Sequence, residues 1–118
     1  VTAAALAAQG NPAAHQTELR SADGMVLART VLLPDGTGYL WSDGLPRTES
    51  DRTYQLWAIA GGTPRSAGVF DVDPKGSAAL RVKPVAGVEK VEVFAVTLEP
   101  AGGLPQPSGA MYLAGKSP

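Results

Sequence analysis

The stretch T-Y-Q-L-W-A-I-A-G-G-T-P-R-S-A-G-V-F, residues 53–70, decides the fold. It reads as a strong strand, a Gly-Gly-Thr-Pro turn and a second short strand. Side chains alternate along a strand, so Tyr54, Leu56, Ala58 and Ala60 share one face. Gln55, Trp57 and Ile59 share the other. Apolar residues on both faces predict a central strand covered on its two sides. No residue in the stretch is a credible catalyst.

Working outward, turn signals bracket further strand-like runs. Asp23-Gly24, Pro34-Asp35-Gly36, Asp43-Gly44-Leu45-Pro46 and Asp73-Pro74-Lys75-Gly76 are turns with a mechanism: proline presets φ and glycine accepts a positive one. Between them lie expected strands over 15–22, 25–33, 38–42, 53–60, 66–72, 78–83, 91–99 and 110–114. Tyr39 and Trp41 fall on one face of the third and Leu40 on the other. The seventh carries Val93, Phe94, Val96 and Leu98 toward the core. Residues 47–52 read as a solvent-facing loop, and 115–118 as disordered. The result is an all-β expectation: an antiparallel β-sandwich or partly closed barrel of about seven or eight short strands, from turns every 8–12 residues. Residues 15–118 read as a single domain of this kind. Residues 1–14 read as a stalk or arm with a short helix, helix-prone over its first eight residues and stopped by Gly10, Asn11 and Pro12.

Composition limits the function classes. The chain has 118 residues, enough to bury roughly two-thirds of its unfolded surface in one core without staples. Ten basic against eleven acidic residues, net −1, argue against a nucleic-acid footprint or a polybasic membrane patch. There is no cysteine, which excludes disulfides and thiolate metal sites. No run of apolar residues is long enough to span a bilayer as a helix. Val1 is not a methionine, so the chain is expected to be part of a longer or processed product.

Catalytic constellations are thin. His15 is the only histidine, too few for a zinc hydrolase. A Ser-His-Asp triad would have to use it, and no G-x-S-x-G elbow is present. The acids are scattered, mostly through turns where aspartate caps backbone; Asp71 and Asp73 open like a calcium loop but lack the remaining ligands. Gly61-Gly62 and Gly102-Gly103 are not phosphate cradles, since no Gly-Lys-Ser/Thr or helix follows. Trp41, Trp57 and Tyr54 would make a sugar-stacking platform if exposed. No catalytic residue, cofactor or metal site is expected. The residues by themselves give a β domain without a function, and a small-ligand or glycan-binding module is one use its aromatics would allow.

Two segments carry a resemblance. Y-Q-L-W-A-I-A-G-G-T-P-R-S-A-G-V-F at 54–70 and V-F-A-V-T-L-E-P-A-G-G-L-P-Q-P-S-G at 93–109, with G-L-P at 44–46 ahead of them, resemble the paired motifs of the C-terminal domain of anti-sigma-K factors of the RskA type. The match is specific over about 43–114. The motif positions are Tyr54, Leu56, Trp57, Gly68, Phe70, Phe94, Val96, Glu99, Pro100, Gly102, Gly103, Pro105 and Pro107, and most read as fold-specifying. Glu99, before Pro100, either accepts hydrogen bonds inside the domain or faces a ligand. The resemblance implies a single-pass protein of the cell membrane. Its N-terminal domain, absent here, would hold an extracytoplasmic-function sigma factor. This domain would lie on the extracytoplasmic side, regulating release of the sigma factor through a membrane protease. Residues 1–14 would be the stalk in which that protease cuts. The resemblance names no catalytic site, cofactor or nucleic-acid partner.

Overall fold

In the computed structural model, which describes residues 14–85, 90–109 and 111–116, eight strands follow in chain order. They are β1 (His15–Arg20), β2 (Val26–Leu32), β3 (Gly38–Ser42), β4 (Arg52–Ala60), β5 (Thr63–Phe70), β6 (Ala78–Val82), β7 (Val93–Pro100) and β8 (Met111–Lys116). No helix occurs among the described residues. The short N-terminal helix or arm expected over 1–14 lies, apart from Ala14, outside them.

All eight strands join one antiparallel sheet in the order β5-β4-β7-β8-β1-β2-β3-β6. Its two ends curl to meet. Gly68 of β5 sits so close to Leu80 of β6 that a Cβ on the glycine would lie 3.0 Å from the leucine methyl. No ladder pairs these two strands, so the sheet is a nearly closed barrel with one seam zipped by side chains alone. A second weak line runs between β1 and β8, which share the single register pair Arg20↔Ala114. The barrel is thus two four-stranded leaves, β5-β4-β7-β8 and β1-β2-β3-β6.

The opening stretch behaves as its alternation dictates. β4 pairs with β5 on one side and β7 on the other. Leu56 and Ala58 point into the barrel, while Gln55 and Trp57 are buried on the outer face. The core gathers Leu19, Leu40, Leu56, Phe94, Val96 and Leu113 from five strands, all at most 1% exposed. Trimming one such leucine to alanine costs about 2–5 kcal/mol in a site that cannot collapse.

Some strand ends differ from the sequence expectation. β5 begins at Thr63, not at 66, because Gly61 and Gly62 both take positive φ (59° and 78°) and close the hairpin in two residues. Pro64 then pairs opposite Ile59. It is tolerated because β5 is the edge of the ladder, where a missing N–H breaks nothing. Gly115 and Lys116, expected to be disordered, belong to β8 and pair with Phe94 and Val93. Gly115 is needed there: a Cβ on it would lie 2.1 Å from the Glu18 carbonyl oxygen of β1. Leu98, expected in the core, is 37% exposed, since it sits near the end of β7 at the barrel rim.

Candidate functional site

The second hallmark segment folds back as a strap. After β7 ends at Pro100, residues 101–109 cross the outer face of β4 and β7 before β8 begins. A turn closed by Gly103 N–H to the Pro100 carbonyl (2.9 Å) reverses the chain, and Ala101 N–H donates to the Asp51 carbonyl (2.8 Å). Gly103 has φ +77°, and a Cβ there would lie 2.7 Å from Val69 Cγ1 and 3.0 Å from Gln55 Oε1.

Polar side chains under the strap hold it down. Gln55 donates through Nε2 to the Leu104 carbonyl (2.9 Å) and to Ser66 Oγ (2.7 Å), and accepts the Leu104 N–H at Oε1 (3.0 Å). Farther along, Trp57 Nε1 donates to Thr97 Oγ1 (2.7 Å), and that hydroxyl donates to Glu99 Oε2 (2.6 Å). Glu99 also accepts the Ser108 hydroxyl at Oε1 (2.5 Å), the Ser108 N–H (3.1 Å to Oε2) and the Gly109 N–H (3.5 Å). Thr97 and Glu99 meet because residues two apart on a strand share a face. Every donor in the chain from Trp57 runs toward the carboxylate.

Glu99 is fully buried. Burial alone pushes its carboxyl pKa up. The hydrogen bonds from Ser108, Thr97 and Gly109 outweigh that and hold it below the ordinary carboxylate value. The charge therefore persists inside the protein, shared over donors of β7 and of the strap.

The remaining motif residues divide between two places. Tyr54, Leu56, Phe70 and Phe94 face the interior. Tyr54 stacks on Phe70 (ring centroids 5.5 Å apart) and lies 5.9 Å from Tyr112, the extra residue of a bulge between β7 and β8. Its hydroxyl donates to the Pro46 carbonyl (2.6 Å), which ties the G-L-P segment to the barrel. Burial, and secondarily Tyr112, pushes the Tyr54 phenol up to about 12. Trp57, Glu99, Pro100, Gly102 and Gly103 belong to the strap and the face beneath it. Gly68 stands at the bulge of β5, against Leu80.

Gln55, Thr97 and Ser108 complete the network, and sequence reasoning did not single them out. Their signal was present: a polar residue every second position on an otherwise apolar strand (T-L-E), then S-G just after the prolines.

His15 lies at the opposite end of the barrel, exposed at the start of β1. Among the described residues no three His, Asp or Glu side chains gather to hold a metal. Asp73 caps its own turn, accepting from Lys75 N–H (2.8 Å) and Ser77 N–H (3.0 Å). Tyr39 and Trp41 share the outer face of β3, half-buried, opposite Arg81 and Arg29 in their respective rows. Thr17 and Thr30, cross-strand partners on β1 and β2, have buried hydroxyls with no partner among the described residues.

The strap-bound barrel and its hallmark residues correspond to a known family. The family model described as "Anti-sigma-K factor rskA, C-terminal" matches residues 1–111, and the chain belongs to that family. The match begins at residue 1, well before the segments that carry the motifs. No curated protein and no solved structure matches the chain. The family is that of a regulatory protein, an anti-sigma factor, whose partner is a sigma factor.

Proposed function

We propose that this chain is the extracytoplasmic regulatory domain of a membrane-anchored anti-sigma factor, non-enzymatic, whose folded state restrains proteolysis of the chain leading into it. The reading is carried by the family match together with the use of Glu99. The one buried charge among the motif residues is engaged by its own strap, as expected of a shield rather than of a reaction centre. Residues 1–14 feed directly into β1 and are the stalk whose accessibility the barrel would govern. Other segments of the full-length protein would hold the sigma factor.

The test uses the full-length gene product in its native host or a heterologous bacterium. An alkaline-phosphatase fusion after Lys116 should be active, since that enzyme matures only outside the cytoplasm. A Glu99→Gln substitution, which loosens the strap, should raise cleavage of the protein and transcription from a sigma-dependent reporter. An inactive fusion, or a loosened barrel with unchanged cleavage and reporter output, would sink the reading.

A further inference from the structure

At the end of the barrel away from the strap, the described residues enclose a cavity. Ala58 and Phe94, which face each other across β4 and β7, form part of the floor of this cavity of about 650 Å³, with Leu32 and Val82 in its walls. Sites for small molecules fall in the range of about 300–1,000 Å³, are mostly apolar and favour the mouths of barrels. Among the described residues, three side chains that carry or can carry charge line this cavity: His15, Asp35 and Lys90. Asp35 is engaged, accepting the Thr37 N–H (2.9 Å) and hydroxyl (2.6 Å), and that pairing lowers its pKa. Lys90 is exposed, and no hydrogen bond or ion pair to it occurs among the described residues. The cavity therefore combines an apolar floor with a cation at the rim.

We propose that this mouth binds a single-chain monoanionic amphiphile, of the class of medium-chain carboxylates. The chain lies on Leu32, Ala58, Val82 and Phe94, and the carboxylate rests against Lys90 with its second face toward the His15 ring. A dianionic head is disfavoured by the nearby Asp35 carboxylate. A neutral chain gains the floor but not the rim. The site adjoins the first residue of β1, so within the regulatory reading a ligand would sit where the stalk enters the barrel. The binding claim does not rest on that reading.

Decanoate is titrated into the 118-residue protein below its micelle concentration and followed by ¹H–¹⁵N spectra and calorimetry. Saturable one-to-one binding with shifts at Ala58, Val82 and Phe94 is expected. Decan-1-ol and the Lys90→Glu variant with decanoate should each bind roughly fivefold more weakly, as loss of a partly exposed charge pair implies. Ala58→Leu, which fills the floor, should abolish binding. Should that variant fail to fold, Leu33→Glu at the lip, another cavity-lining position, serves the same purpose with less demand on the core. Absence of saturable binding overturns the proposal. So does binding that survives Leu33→Glu with shifts elsewhere, or decan-1-ol binding as tightly as decanoate. A negative result leaves the topology and cleavage tests of the regulatory function as they stand.

Discussion

Replacing Glu99 with glutamine tests how the strap is held. The side chain keeps its shape but loses its charge and half of its acceptor capacity. In whichever orientation the amide settles, its NH₂ group faces a donor: either Ser108, or the Thr97 hydroxyl together with the backbone N–H groups. Thr97 has a second lone pair with which to accept, but its own O–H would then lose the carboxylate it donates to. Hydrogen bonds to a charged group are worth about 1.5–3 kcal/mol each, and glutamine retains part of them, so a net loss of about 3 kcal/mol is expected. With a urea m-value of about 1–3 kcal/mol/M, the midpoint should fall by roughly 1–3 M. The pH arm is sharper. A carboxyl whose folded pKa is depressed contributes stability above its unfolded value, near 4.5, and that contribution disappears as pH falls through the folded value. The gap between native protein and variant should be full at pH 7 and shrink only below about pH 4.5. Urea melts at several pH values, with amide exchange at Leu104, Ser108 and Gly109, measure both. A midpoint unchanged at pH 7, or a gap that persists undiminished at the lowest pH that keeps the fold, would refute the reasoning.

Other outcomes follow from the same geometry. Tyr54→Phe should cost about 1–2 kcal/mol by chemical denaturation, since the Pro46 carbonyl loses its donor. In the native protein, spectrophotometric titration should show one tyrosine ionising near 12; because that pKa is raised by folding, the associated stability is intact below pH 10 and lost as pH rises toward 12. Gly103→Ala should destabilise more than Gly102→Ala, although both adopt positive φ, because only at Gly103 would the new methyl meet Val69 and Gln55; thermal melts of the pair decide it. Glu18→Ala should shift stability by less than about 1 kcal/mol despite removing two ion pairs, because both are solvent-exposed.

The strands were legible because their cues are local. Alternation in 53–60 announced a twice-covered strand, and Asp-Gly and Pro-Asp-Gly announced turns. What escaped reading needed partners distant in sequence. Pro64 looks like a turn residue until β5 is known to be an edge. Gly115 looks like a loose end until Glu18 is known to approach it. Glu99 was legible as an exception, since a carboxylate closing an apolar strand is unusual. Its partners were not, because Ser108 reaches it only after the strap has reversed. Nor does the chain announce that β6 joins β3 or that β7 inserts between β4 and β8. Those pairings reflect which edges remain free once the hairpins have formed.

The thin joint between β1 and β8 has a mechanical side. Any pull transmitted along the chain into His15 is resisted by six rungs shared with β2 but by one shared with β8. Tension would therefore load the leaf that contains β1 and leave the strap-bearing leaf slack. The molecule would part along its joints before either ribbon frayed.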